Sequence, residues 1–403
     1  MMQNQSCYPS NNVNQATINS QIENKVEVSV VMPCLNEEES IGICIKSAKA
    51  ALKEMDVLGE IIVADNRSTD KSVEIAKSLG AKVVHQPIHG YGAAYLAGIA
   101  AAEGKYIVIG DSDDTYDFSE LGRFIQPLKE GSDLVMGSRF SGEILPGAMP
   151  WLHQYIGNPV LTGILNILFK ANVTDAHCGM RAFTKDAYEK MCLCTTGMEF
   201  ASEMVIKAAK LNLKIAEVPI SYYPRKGKSK LHPFRDGWRH LRFMLLLSPT
   251  HLFLIPGFIL FILGFIGTLL LLPGPLKIGW HSYDVHVMTV TSLLALLGFQ
   301  VVLLGLYART YAIVSGLEKR DKLIKWMWKH FSLEKGLLLG AASFALGFIV
   351  DAWIMYKWVN SGFGALSEVR TALFALLLMA LGAQTIFSSF FLSILGIRKI
   401  KRQ

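Results

Sequence analysis

The sequence predicts an α/β domain, a parallel sheet with helices on both faces, followed by a membrane domain of four α-helices. Three observations predict it. Up to about Pro249, short apolar runs rich in Val and Ile alternate with amphipathic helical patterns, the order expected of strands and crossover helices. Beyond Pro249 come four long apolar stretches, Leu252–Leu272, Val285–Ala312, Leu337–Trp358 and Leu373–Leu395, each near the ~20 residues that cross a hydrocarbon core. Carboxylates also gather directly behind the strands, most densely in "IVIGDSDDTYD", Ile107 to Asp117. Composition agrees, since 51% of the 403 residues are hydrophobic and the mean hydropathy of +0.32 is high for a soluble protein.

Residues 1–25 are polar and rich in Asn and Gln, with neither a basic start nor an apolar core, so a flexible tail is expected rather than a signal peptide. The α/β domain is expected over 26–231. "VEVSVVMPC" opens with a strand that breaks at Pro33, and the next helix carries Glu37, Glu38 and Glu39 in its first turn, as the helix dipole favours. "GEIIVADNRSTDKSVEIAKSLG" repeats the unit as strand, acidic loop and helix, with Gly80 as the stop. "AKVVHQP" is a third strand, "HGYGAAYLAGIAAAEG" a glycine loop entering a small-residue helix, and "KYIVIG" a fourth strand that delivers the acids. "SDLVMGS" is a further strand ending just before Arg139. Trp151 to Phe169 begins aromatic and turns strongly apolar, a pattern open to two readings, a helix in the membrane interface or a core helix. Residues 232–249, with Trp238, Arg239, His240 and Arg242 beside Leu and Phe, read as an amphipathic juxtamembrane segment, and 250–403 as the membrane domain.

Loop charges set the expected orientation, because Lys and Arg near span ends stay on the cytoplasmic side. Seven of them lie between Arg309 and Lys335, after the second span, and Arg398, Lys399, Lys401 and Arg402 follow the fourth. The other two loops hold only Lys277, Lys357 and Arg370. A multi-pass integral membrane protein with its α/β domain and both termini in the cytoplasm is expected. The net charge of +7 then reflects topology and contact with membrane lipid, and no nucleic-acid motif accompanies it. The six cysteines show no paired spacing suited to zinc, and a cytoplasmic domain keeps them reduced, so they are expected to be packing residues.

In open parallel sheets, ligands bind at the carboxyl edge. Three consecutive strand ends offer Asn36 with Glu37, then Asp65, then Asp111 with Asp113. One residue separates Asp111 from Asp113, so both carboxylates can reach one hard divalent cation. The alternative is a solvated acidic turn in which Asp117 or Ser119 caps the helix "ELGRFIQPL". Asp65 or Asn66 suits the imide edge of a base, while Gly90 and Gly92 either let backbone approach a pyrophosphate or form an ordinary turn. Neither the glycine fingerprint of a dinucleotide-binding domain nor a Walker P-loop is present.

"VVMPCLNEEESI", "VADNRSTD", "GYGAAYLAG", "DSDD" and "GSRF" occur in the order and spacing of family 2 glycosyltransferases, and over Val28 to about Leu247 the chain resembles the branch of dolichyl-phosphate mannose synthase, which makes polyprenyl-phosphate sugars. The resemblance implies a GT-A (Rossmann-like) nucleotide-sugar-binding domain, a nucleotide-diphosphate sugar as donor, Mg²⁺ or Mn²⁺ at Asp111 and Asp113, and a polyprenyl phosphate as acceptor. For the donor it implies a site drawn from Pro33, Asn36, Glu37, Asp65, Gly90, Gly92, Asp111, Arg225 and Lys230. For the acceptor phosphate it implies Arg139, His153, Gln154 and Asn158, and for catalysis Asp113, Arg139 and Asp175. A surface salt bridge is the other reading of Arg139, and mutual pairing the other reading of Asp175 and Arg181. Asp175 or Glu203 would serve as base if the acceptor were an alcohol, whereas a phosphate monoester is already anionic near neutral pH. Arg225, Lys226, Lys228 and Lys230 surround Gly227 in a basic loop resembling the family's loop over the donor phosphates, or else they anchor the membrane.

Two departures stand out. Relatives place a second Arg where this chain has Gln154 beside His153, and a Gln where it has Thr115. The expected reaction is inverting, metal-dependent transfer of a hexose from a UDP-glucose or GDP-mannose type donor to dolichyl or undecaprenyl phosphate. The alternatives are transfer to another lipid or a growing polysaccharide, disfavoured because "DGWRHLRFM" lacks the Arg-Trp pair of processive synthases, and an inactive membrane scaffold. A homo-oligomer is compatible with the sequence.

Overall fold

The computed structural model describes residues 26–226, 233–314 and 332–397. The N-terminal tail, Lys228 and Lys230, the cations from Lys319 to Lys329, and those from Arg398 to Arg402 lie outside the described residues. The chain divides at Met244 into two compact units, Met1–Met244 and Leu245–Gln403.

The first unit is built on a seven-stranded sheet. Its strands are β1 (Val28–Cys34), β2 (Gly59–Asp65), β3 (Lys82–His85), β4 (Tyr106–Ile109), β5 (Leu134–Ile144), β6 (Arg181–Thr184) and β7 (Ile215–Tyr222), ordered β3-β2-β1-β4-β6-β5-β7. Helices α1 (Ile41–Glu54), α2 (Ser72–Ser78), α3 (Tyr91–Ala100), α4 (Leu121–Lys129), α5 (Asn158–Phe169), α6 (Lys185–Met191) and α7 (Phe200–Lys210) lie between strands, and α8 (Pro233–Leu246) follows. Val28, Val30 and Met32 pack with α1 and α4 in one apolar cluster, while Val31, Ile62 and Ile107, equally buried, face the other way. Covering on both faces is why these strands read as unbroken apolar runs rather than alternating ones.

The sheet is mixed rather than wholly parallel, because β6 runs antiparallel to both β4 and β5. Four residues, "RAFT", carry too short a pattern to announce a strand. Strand β1 also passes through Pro33, which pairs with Ala64 of β2. The missing N–H costs little here, because pairing with β4 has already ended at Val31 and the Pro33 carbonyl accepts from Ser112 Oγ at 2.6 Å. Glu37, Glu38 and Glu39 precede α1 instead of forming its first turn. Asp117 caps the short 3₁₀ turn Phe118–Glu120 that leads into α4, accepting from the Ser119 N–H at 2.8 Å, while α4 itself starts after Glu120 with no side-chain cap. Of the described cysteines, Cys34, Cys44 and Cys178 are buried as packing residues, while Cys192 and Cys194 are exposed and so do not fit that expectation.

The second unit holds α9 (Ile255–Leu271), α10 (Val285–Val314), α11 (Leu333–Asn360) and α12 (Val369–Ile397), with a small hairpin, β8 (Leu276–Ile278) and β9 (His281–Tyr283). Four helices, over Thr250–Leu271, Val285–Val314, Leu333–Asn360 and Val369–Gly396, are long and apolar enough to cross a membrane. Small residues let them approach: a methyl on Gly264 would collide with the Ala295 nitrogen, and one on Gly382 would meet the Phe344 nitrogen at 2.6 Å.

Candidate active site at the carboxyl edge of the sheet

Chain order runs outward from β1 through β2 to β3 and then returns to the other side of β1 with β4. The direction of winding therefore reverses between β1 and β4, where a crevice opens in doubly wound sheets. The loops leaving these two strands carry Asn36 and Glu37 on one side, and Asp111 and Asp113 on the other.

Asp111 accepts from Tyr95 Oη at 3.0 Å, and a side chain on Gly179 would strike its Oδ2 at 2.5 Å. Burial and the charge of Asp113 push its carboxyl up to about 6, against hydrogen bonds from Tyr91 and Tyr95 and the cation of Arg225. Asp113 is fixed by Thr115, whose hydroxyl donates to Oδ1 at 2.6 Å and whose N–H donates at 3.2 Å. Thr115 itself is buried, so the residue that replaces the relatives' Gln orients Asp113. Arg225 reaches Asp113 Oδ2 at 3.3 Å and Glu37 Oε1 at 2.5 Å, and Lys226 pairs with Asp114 at 2.6 Å. Backbone bonds from the Tyr223 N–H to the Thr115 carbonyl (3.1 Å) and from the Lys226 N–H to the Asp113 carbonyl (3.2 Å) lay this basic segment along the acidic loop.

Two carboxylates fit a divalent cation of the Mg²⁺ kind, which takes one or two protein carboxylates and fills its shell with phosphate oxygens and water. The rise at Asp111 comes from burial first and from the neighbouring Asp113 second. Among the described residues no three His, Cys, Asp or Glu side chains form a metal-ligating cluster, so further ligands would come from substrate and solvent.

At the β2 end, Asn66 is spent on the chain itself, donating to the carbonyls of Gln86 (3.1 Å) and Ile88 (2.7 Å) and accepting from the Gly90 N–H (2.8 Å). Asp65 is thereby the residue of the two left for a base. Asn36 accepts from the Thr69 N–H at 2.7 Å with a left-handed backbone at φ 53°. At Gly90 and Gly92 the room for a side chain is filled by the carbonyl oxygens of Thr196 and Thr195, so close packing of the chain against itself already requires these glycines. Glu203 explains that loop: it accepts from the N–H groups of Cys194 and Thr195 at 3.1 and 2.9 Å and from the Thr195 hydroxyl at 2.6 Å. Lys207 lies 2.7 Å from it. Glu203 therefore orients the loop behind α3, a role quite different from that of a base.

On the far side of β6, Arg139 forms a two-pronged pair with Asp175, Nε to Oδ2 at 2.6 Å and Nη2 to Oδ1 at 2.8 Å. Both are buried. Burial opposes the charged guanidinium, but Asp175 outweighs it and holds Arg139 protonated. The Tyr222 ring lies 5.2 Å from the guanidinium. Nη1 makes no hydrogen bond among the described residues. Arg181 does not pair with Asp175; it donates to the carbonyls of Cys178, Ala201 and Ala176 at 2.8, 2.6 and 2.9 Å. His153 sits in the field of Arg139, and burial first, then that charge, pushes its pKa down against the pull of Asp236. Asn158 contacts Met149 Sδ at 3.6 Å. The helix from Trp151 to Phe169 presents an exposed apolar stripe that includes Trp151, Tyr155, Val160 and Ile167. Lys230 is outside the described residues.

Nothing in the local sequence announces a histidine cluster behind Arg139. His177 and His240 meet edge to face at 4.6 Å, and Ser202 Oγ lies 2.8 Å from His240 Nδ1 and 3.4 Å from His177 Nε2. Only the register of α8 against α7 brings them together, and no local motif encodes that.

Comparison with known proteins matches this frame. The profile of Glycosyl transferase family 2 fits residues 29–192, and that of the Glycosyltransferase family 2 C-terminal transmembrane region fits 306–396. The low-salt glycan biosynthesis hexosyltransferase Agl6 of Haloferax volcanii is 43% identical over 92% of this chain and 89% of its own. A dolichyl-phosphate hexose transferase of the same organism is 35% identical over 52% of this chain and 89% of its own. Among solved structures, glucosyl-3-phosphoglycerate synthase from Mycobacterium tuberculosis matches with a TM-score of 0.44 and 23% identity, covering 55% of this chain and 79% of that one. Similarity to a hexosyltransferase along nearly the whole of both chains establishes that the protein belongs to glycosyltransferase family 2, a glycosyltransferase whose GT-A domain is followed by a transmembrane region of four apolar helices.

Proposed function

We propose that the protein transfers a hexose from a nucleotide-diphosphate sugar to a polyprenyl phosphate at the cytoplasmic face of the membrane, with inversion and with a divalent metal. The observation that carries this reading is the pair Asp111 and Asp113, separated by one residue at the reversal point of the sheet with Arg225 beside them. Relatives named as a hexosyltransferase and as a dolichyl-phosphate hexose transferase support the sugar class and the acceptor class.

When bound, the metal supplies Lewis-acid stabilisation of the departing diphosphate. Asp111 and Asp113 would hold it, with Thr115 keeping Asp113 oriented. Arg225 adds a second positive charge on the same side, and Asp65 accepts from the base. Arg139, held charged by Asp175, offers Nη1 to the acceptor phosphate and offsets its repulsion from the donor. Asp175 already accepts from the Arg139 side chain and main chain and from the His177 N–H. Its lone pairs are spent, which suits a nucleophile that arrives ionised and needs no base. The apolar stripe of the Trp151–Phe169 helix suits the lipid portion of such an acceptor.

The test is incubation of membranes containing the protein with a panel of labelled nucleotide sugars and polyprenyl phosphate. Label should enter the organic phase only when polyprenyl phosphate is present, and chelation should stop it. Transfer to a phosphate-free lipid or a polysaccharide instead would overturn the acceptor assignment. For the orientation, a cysteine placed between Pro273 and Asp284 should react with an impermeant reagent from outside intact cells; protection there, with labelling near Lys322, would reverse it.

A further inference from the structure

We propose that His85 is a positioning residue for the donor base, holding the Asp65 carboxylate where it accepts a ring N–H and thereby favouring uracil or guanine over cytosine and adenine. The inference rests on the donor reading above. It starts from register. Strands β2 and β3 run parallel with Asp65 opposite His85, and the Gln86 N–H bonds the Asp65 carbonyl at 2.8 Å, so the two side chains leave the sheet together at its carboxyl edge. His85 Nδ1 stands 3.0 Å from Asp65 Oδ2, and the Ser68 N–H donates to Oδ1 at 2.9 Å. The Ser68 hydroxyl adds a further hydrogen bond to the carboxylate, so most of its accepting capacity is taken and what remains is directed by these neighbours.

Chemistry then selects the base. Burial raises the Asp65 pKa, but hydrogen bonds from Ser68 and His85 outweigh it and keep the group ionised. An ionised carboxylate only accepts. Uracil N3 and guanine N1 carry a hydrogen to donate, whereas cytosine and adenine present lone pairs at the same ring positions, which the carboxylate repels, and could reach it only through their exocyclic amines. Asn66, which as an amide would tolerate either kind, is fully engaged elsewhere. His85 has little structural work besides this: β3 is the edge strand of the sheet, and the histidine side chain is 61% exposed where Asp65 is 7% exposed.

Full-length protein in detergent, with Mn²⁺ present, should be titrated calorimetrically with UDP, GDP, CDP and ADP. Wild type should prefer UDP or GDP. His85→Ala should weaken that nucleotide about tenfold and narrow the preference, while His85→Gln, whose amide N–H still reaches Asp65, should stay within about threefold of wild type. The donor KM should rise in His85→Ala with kcat and the acceptor KM unchanged. Wild-type affinity and preference in His85→Ala would overturn the proposal, and so would a Gln variant as weak as the Ala one. Failure of the wild type to bind any of the four nucleotides would instead remove the donor reading on which it stands.

Discussion

Two acidic groups stand at the same edge of one sheet and are neutralised in opposite ways. Asp175 is closed: a bidentate arginine takes both its oxygens, and the pair is buried. Asp111 and Asp113 are open: their shared cation, Arg225, lies 3.3 Å from one oxygen of one of them, and the Asp111 carboxyl rises to about 6. The closed pair keeps its cation within the fold, whereas the open pair would gain from a cation brought in with the proposed substrate.

The largest way to break the comparison is Asp113→Asn. The loop keeps its size but loses a charged ligand, so transfer should fall about a thousandfold or more with the fold intact. Activity near wild type with excess Mn²⁺, measured by label transfer, would show that the open pair holds no metal. Next comes the closed pair. Arg139→Ala alone leaves Asp175 buried and unpaired, at a cost of about 3–5 kcal/mol, so a lower thermal midpoint is expected. In Arg139→Gln with Asp175→Asn the charge is removed from both partners. That double variant should fold and raise the acceptor KM about tenfold or more, leaving the donor KM alone; an effect on donor alone would move Arg139 to the donor side.

A pH profile extends the contrast to the histidines behind Arg139. Burial lowers the His240 pKa to about 4 despite Asp236, with Arg181 and Arg239 adding to the drop. His177 is lowered as well, by burial and by His240, Arg139 and Arg181. Above the ordinary pKa of ~6.5 both folded and unfolded chains hold these rings neutral. Below it the unfolded chain takes up protons that the folded one resists, so stability is lost as pH falls from about 6.5 towards 4. His240→Gln should flatten the thermal midpoint against pH over that window; an unchanged slope would mean that other groups set it. The smallest effect is expected of Thr115→Val, which removes one hydrogen bond to Asp113, about 1 kcal/mol. Metal affinity should weaken about fivefold, with little change in thermal midpoint.

What is legible in the sequence follows the range of the interactions. Apolar runs and the acids behind them announce the strands and the site edge, because each is encoded within a few residues. The apolar helices of the second unit are legible for the same reason, length and composition being enough. Strand β6 escapes such a reading because four residues pair in a direction only the rest of the sheet decides. The family resemblance points Arg139 towards an acceptor phosphate, and the alternative readings pair Arg139 with a surface carboxylate and Asp175 with Arg181, although Arg139 and Asp175, 36 residues apart, form one buried unit. Gly90 and Gly92 suggest close approach to a pyrophosphate or an ordinary turn, while the carbonyls that fill the place of their missing side chains come from a loop about a hundred residues later, set by Glu203.

The reversed strand β6 has one more implication. Because it enters the sheet from the carboxyl edge, the short run ahead of it passes both groups in turn. Asp175 grips Arg139, and Gly179 abuts Asp111 while its N–H donates to Tyr116 Oη at 2.8 Å. Arg181 then pins this run through the carbonyls of Ala176 and Cys178 and ties it to Ala201 of α7. One stretch of backbone thus acts as a spacer bar between the open and closed sites, and its length, rather than any flexible domain, gauges the gap between them.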